Sequence, residues 1–279
     1  MPPKSTYVST AIAHPRSSLI KTLLSLSVLD STLPHSRFVA TVGQFIDFSE
    51  AFNLADFLGR VPAIAANNSG GGIGRADRTD IINNAQYRLL NIRGEMMLLI
   101  MASFDTPVSA SRTTTSKTTA SKVMPKRSSS MRLPRVGDAN FNEGDQGLSA
   151  YLRFYTLQQS EMESRIVQLH TRIRRDLTAQ SSPLAQLAAL DGKLNEVLAS
   201  YTRKALSVIP SLLRKRFHYL FNESLFNESL FNDSQTKQES LAAFLREMQT
   251  VLLAELEIRL QPTLGLIEAL ATEEEEETR

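Results

Sequence analysis

The chain has 279 residues, a formal charge of +2, no cysteine and no tryptophan. That length holds one large domain or two modest ones. The lack of cysteine excludes a disulfide framework, a thiolate metal site and a cysteine nucleophile, and fits a reducing cytoplasm.

Apolar residues make up 42% of the chain but aromatics only 7%, so burial must rest on Leu, Ala, Ile and Val. That mixture favours helix packed on helix. The near-neutral charge conceals a basic middle and an acidic end, so partner arguments are local ones. The N-terminus has one early basic residue, Lys4, followed by polar sequence up to Pro15, and lacks the apolar core of a signal peptide. The most apolar stretch, Glu95 to Ala102, is far shorter than the roughly 20 residues that span a bilayer and reads as part of a buried helix. A cytoplasmic chain without a transmembrane segment is expected.

After a disordered N-terminus over 1–16, an N-terminal helical block is predicted over 17–102. Leu19, Ile20, Leu23, Leu24 and Leu26 recur at mostly helical spacing. Pro34 opens a second helix with Phe38, Val42 and Phe45 on one face. Ser49 caps a third that buries Phe52, Ala55 and Leu58 before Pro62. The glycine-rich stretch from Asn67 to Arg75 reads as a loop, and a helix restarts at Asp77 or Thr79 and runs to about Met101.

Residues 103–146 change character, with Ser and Thr crowding between basic side chains. Such a segment offers too little apolar surface to offset an ordering cost of roughly 1–2 kcal/mol per residue, so a disordered linker is expected.

A C-terminal helical bundle is predicted over 147–271. Leu148, Leu152, Tyr155, Gln159, Met162, Ile166, Leu169 and Ile173 alternate spacings of four and three, a heptad seam with one polar member. Ser182-Pro183 caps and opens a second long helix bearing Leu187, Leu190, Leu194, Val197 and Tyr201, with the seam helix as its antiparallel partner. Pro210 breaks that pattern. A five-residue repeat, Leu220-Phe-Asn-Glu-Ser and its two successors through Ser234, would turn its Leu-Phe pair by about 140° per unit in a helix. It reads as an insertion over 220–234. The last helix, from Ser240 to about Gln261, belongs in the core; Pro262 interrupts it, and 272–279 form an acidic tail. The fold class is therefore all-α: a helical bundle of long antiparallel helices, in two blocks joined by a disordered linker. Contacts between the blocks are not readable, so a single bundle stays open.

Several stretches look familiar. They are Ser18-Leu-Ile-Lys-x-Leu-x-x-Leu, Ser36-Arg-Phe, Phe45-Ile-Asp, Ala51-Phe-x-Leu, Ser182-Pro-Leu-Ala-x-Leu-Ala-Ala-Leu-Asp, Ile209-Pro-Ser-Leu-Leu-x-Lys-Arg-Phe, and Glu247 through Arg259-Leu-Gln-Pro-Thr-Leu-Gly-Leu266. Together they resemble a proteobacterial family catalogued as domain of unknown function 3348, over roughly Ser17 to Leu270. The resemblance carries no catalytic residues. It implies a setting: companions of MotA/TolQ/ExbB-type proton-channel proteins and OmpA-like peptidoglycan binders, similar to Zorya anti-phage systems.

No motif marks an enzyme. The glycine loop lacks the Gly-Lys-Ser/Thr ending and the preceding strand of a phosphate loop. His14, His35, His170 and His218 are scattered, so neither a metal site nor a cofactor is expected. Asp191 and Glu255 lie beside apolar stripes and read as solvated or interhelically paired carboxylates. A Ser/His/Asp constellation would have to be assembled by the fold.

The expected function is therefore non-enzymatic protein interaction. Leu148, Leu152, Tyr155, Met162, Ile166, Leu169 and Ile173 are its partner-binding candidates, toward the channel or OmpA-like assembly or toward the chain itself. The alternative is nucleic-acid association through Lys117, Lys122, Lys126, Arg127, Arg132 and Arg135, salt-sensitive and nonspecific for want of interleaved aromatics. Arg172, Arg174, Arg175 and Arg214 to Arg216 form basic patches that read equally as solvated helix faces.

Overall fold

The computed structural model describes residues 18–26, 55–60, 75–104, 133, 145–226 and 234–276. Among them no strand is formed, and the main helices are α1 (Ser18–Ser25), α2 (Arg75–Phe104), α3 (Asp145–Thr178), α4 (Ser182–Leu206), α5 (Ile209–Phe226) and α6 (Ser234–Glu276). A helical stretch also covers 55–60, where Ala55 and Leu58 are exposed rather than buried as their spacing suggests.

The organising element is α6. Its apolar residues cover more than one face, and a helix that is hydrophobic most of the way round belongs inside. Phe244, Met248, Val251, Leu252, Leu256 and Leu270 are fully enclosed, and α6 packs against all five other helices. It runs unbroken through Pro262, which is exposed, so the proline does not end the helix as expected. The missing N–H leaves the Ile258 carbonyl without its usual helical donor, on a side where water can serve.

Contacts fix the directions. Tyr155 meets Glu255 and His170 meets Thr263, so α3 and α6 run parallel. Arg88 meets Asp176 and the Phe104 ring meets that of Phe154, so α2 runs antiparallel to α3. Asp191 meets His170 and Arg203 meets Glu163, so α4 also opposes α3, as the sequence suggests. After a short turn α5 continues in that direction, with Arg216 on Glu247 and the Phe217 ring edge-on to Phe244. The result is an up-down bundle in which α3 and α6 touch across the middle, and α2 and the α4–α5 rod each pack on both. The two blocks of the sequence share one hydrophobic cluster, from Leu19 and Leu23 of α1 to Leu270 of α6.

The turns follow from local chemistry. Ser181, extended at φ −136°, caps α4 by accepting the Leu184 N–H, one residue before the expected cap. Pro210 ends the α4 ladder because it cannot donate to the Leu206 carbonyl. Of the linker only Ser103 and Phe104 in α2, Asp145 and Gln146 in α3, and Leu133, which packs against the core, are described; the glycine loop before Arg75, the expected helices over 34–54 and the second and third repeat units, apart from Leu225, Phe226 and Ser234, lie outside the described residues. The first repeat unit continues α5, where Leu220 and Phe221 pack against the core.

Candidate functional site

Two features stand apart from ordinary apolar packing: a buried polar seam, and an apolar face turned outward. The seam begins at Pro210. The Leu206 carbonyl that it strands accepts a hydrogen bond from Gln159 Nε2 at 3.0 Å, so the one polar member of the α3 heptad completes a broken helix next door. The same amide contacts both oxygens of Glu255, at 3.1 and 3.0 Å. Glu255 is 0% exposed, and it also accepts from Tyr155 Oη at 2.7 Å and from Arg259 Nε at 2.8 Å. A buried carboxylate is tolerable only when so surrounded. Burial pushes the Tyr155 phenol well above its usual range, and the adjacent Glu255 charge adds to that, so Tyr155 stays protonated and donates.

Further along α3, His170 bridges three helices. Its Nε2 lies 2.7 Å from Asp191 Oδ2 on α4, and its Nδ1 lies 3.0 Å from Thr263 Oγ1 on α6. Asp191 also accepts from Arg174 Nε at 2.9 Å. Desolvation raises the Asp191 carboxyl, but the hydrogen bonds and charges of His170 and Arg174 outweigh it, and the net shift is downward. An ionised Asp191 therefore takes the Nε2–H, leaving Nδ1 to accept from the Thr263 hydroxyl when the ring is neutral.

Hydroxyl, imidazole and carboxylate are thus assembled in the composition of a hydrolytic triad, which sequence alone could not reveal. Its members tie α3, α4 and α6 together. Thr263 is 0% exposed, held inside α6, where no substrate carbonyl reaches its oxygen. A groove of about 400 Å³ opens where α4 only grazes α6, lined by His170, Asp191, Asn195, Arg259 and Pro262 with apolar walls from Val167, Leu194 and Leu198. Among the described residues no group of three or more His, Asp or Glu side chains is gathered for a metal ion, and no helix is long and apolar enough to cross a membrane.

The seam candidates Leu148, Leu152, Tyr155, Met162, Ile166, Leu169 and Ile173 are all brought together and all buried by the chain's own helices. A partner would have to displace those helices to reach them. Lys117, Lys122, Lys126, Arg127, Arg132 and Arg135 lie outside the described residues. Of the basic patches, Arg174 is committed to Asp191 and Arg216 holds both oxygens of Glu247, while Arg172, Arg175 and Lys215 are exposed.

The outward apolar face belongs to α2. Ile82, Ala85, Leu89, Met96 and Ile100 point into the core, yet Tyr87 is 70%, Leu90 61%, Leu98 69% and Met101 44% exposed. The apolar run from Met96 to Met101 hid this, because consecutive residues on a helix point about 100° apart and cannot all be buried. Beside the face, between α2 and α3, lies an open groove of about 650 Å³ lined by Tyr87, Arg88, Asn91, Arg165, Gln168 and Arg172.

Among protein families, the model described as a protein of unknown function (DUF3348) matches residues 8–272. No curated protein and no solved structure matches the chain.

Proposed function

The chain belongs to the DUF3348 family, and from that premise we propose that it is a non-enzymatic interaction protein that binds a protein partner through the outward face of α2. The single observation that carries this reading is a helix with two apolar faces, only one of which the bundle covers. Exposed large apolar side chains scattered singly need no explanation, but four on one stripe of one helix mark an interaction surface. The polar seam supports the same reading from the other side, because its hydrogen bonds are turned inward on one another and not toward a substrate. The heptad seam, filled from within, acts as scaffold. The partner that the family resemblance favours is a proton-channel assembly of the MotA/TolQ/ExbB type with its OmpA-like component, which the chain would serve as a cytoplasmic accessory subunit in anti-phage defence.

Co-purification tests this directly. Tagged chain co-expressed with the channel proteins of its own genome is expected to retain them, and Leu90→Glu with Leu98→Glu is expected to lose them while keeping its helical signal. Retention of the channel proteins by that variant would remove α2 from the interaction, and failure of the parent chain to retain them would remove the channel.

A further inference from the structure

The exposed apolar residues of α2 have a symmetry that the reading above does not require. Counted from Gly94, Leu90 and Leu98 stand four residues before and after, and Tyr87 and Met101 stand seven before and after. At 3.6 residues per turn all four lie within about 40° of the direction of Gly94, and the core-facing Ile82, Ala85, Leu89, Met96 and Ile100 point the opposite way. A stripe that reads the same in both chain directions is self-complementary under a two-fold axis. We infer that this stripe is the contact between two copies of the chain, with their α2 helices antiparallel and the axis passing beside Gly94. This rests on the reading of the α2 face as an interaction surface and adds to the channel partner a second occupant of that face, another copy of the chain, which covers it when the channel is absent.

Antiparallel pairing about Gly94 sets Leu90 of one copy beside Leu98 of the other, and Tyr87 beside Met101. The glycine sits where the two backbones come closest, and a Cβ built on it meets nothing within 4 Å. Charge fits a second copy as well. The ionic side chains flanking the middle of the stripe are neutralised within the chain, Arg93 by Glu257 at 2.7 Å and Glu95 by Arg165 at 3.5 Å. Two copies therefore meet without net like-charge repulsion, and the stripe itself carries no charge to recruit a basic or acidic partner. The area sets the strength. Four partly exposed side chains rimmed by exposed Asn83, Asn91 and Ala102 cover a few hundred Å² per copy, so the pair falls below roughly 1,200 Å², the class of transient assemblies. The dimer is weak and concentration-dependent.

The absence of cysteine makes the geometry testable with single substitutions. Gly94→Cys places its thiol at the axis and is expected to form a disulfide-linked dimer under mild oxidation. Two Tyr87→Cys chains hold their thiols about 20 Å apart along the helices, far beyond the roughly 7 Å Cα limit of a disulfide, and are expected not to link. An equal mixture of Tyr87→Cys and Met101→Cys is expected to link as a heterodimer. Sedimentation velocity of the unmodified chain from about 1 μM to 1 mM should show the weight-average mass rising toward twice the monomer, and Leu90→Glu with Leu98→Glu should hold it at the monomer with an unchanged melting temperature. A mass that stays monomeric throughout overturns the inference, as does equal linking by Tyr87→Cys and Gly94→Cys. An unfolded double-glutamate variant also overturns it, because the stripe would then be covered by the chain itself. A monomeric parent whose double-glutamate variant still loses the channel proteins sinks self-association alone and leaves the proposed function standing.

Discussion

Asp191 and Tyr155 are perturbed in opposite directions, and each shift ties a hydrogen bond to a pH at which it fails. The folded-state carboxyl of Asp191 titrates below its ordinary value, so its contribution is complete above about pH 3.9 and is lost as pH falls through the folded value. Asp191→Asn should therefore be clearly less stable than the parent at pH 7, and the gap in urea midpoint should close on acidification below about pH 4. The Tyr155 phenol titrates above its ordinary value, so its contribution is complete below about pH 10 and is lost as pH rises through the folded value. Tyr155→Phe should cost about 1.5–3 kcal/mol at pH 7, the range of a hydrogen bond to a charged group, with the two proteins converging in alkali. A gap that stays constant from pH 3 to 11 at either position would show that the partner assignments are wrong.

Between elements, Glu255 joins α3 and α6, and its legibility shows what sequence can and cannot deliver. The α3 seam was readable because alternating spacings of four and three have one physical cause, a helix face turned toward a neighbour. Every seam member is indeed buried. Glu255 was not readable as the hub of a polar network, because Glu257, two residues on, looks the same in sequence and yet lies half-buried against Arg93. One signal was present: Gln159 interrupts an apolar stripe, and a buried amide requires a polar partner on the facing helix. His170 with Asp191 and Thr263 left no such trace, since three residues from three helices meet only through tertiary registration. The outer α2 face was masked by a continuous apolar run that a reader assigns wholly to the core. A double-mutant cycle tests the hub. Glu255→Leu leaves Arg259 buried without its carboxylate and should cost about 3–5 kcal/mol, and Arg259→Leu should cost a similar amount for the mirrored reason. The double variant should cost less than their sum, with a coupling of about 1–3 kcal/mol. Additive losses by urea denaturation would mean that the pair is not the centre of the network.

At the scale of the whole molecule, the question is which parts of the chain the fold needs and which the function needs. The end of α2 and the start of α3 are already held together, since the Phe104 and Phe154 rings lie 5.7 Å apart. Residues 105–144 join two ends that the core has fixed and touch that core at Leu133, and loop closure depends only weakly on length. Cutting that segment fourfold around a retained Leu133, with Lys117, Lys122, Lys126 and Arg127 removed and Arg132 and Arg135 replaced by Ser, should leave the melting temperature unchanged or raise stability by about 1 kcal/mol. Leu152→Asp with Ile166→Asp should instead unfold the bundle, because both side chains are buried in the α3 seam and a carboxylate at either position would be stripped of water. These variants, with the α2 stripe variant, separate scaffold, surface and linker. The seam variant should lose helicity and every interaction together, and the stripe variant should keep helicity and lose its partner. The shortened chain should keep both, and nonspecific DNA binding, if the parent shows any, should disappear with the basic residues and depend steeply on salt beforehand. Circular dichroism, partner co-purification and a filter-binding salt series on the same three proteins make the comparison. Loss of the biological activity on shortening alone, with partner binding intact, would transfer the function from the α2 face to the basic segment.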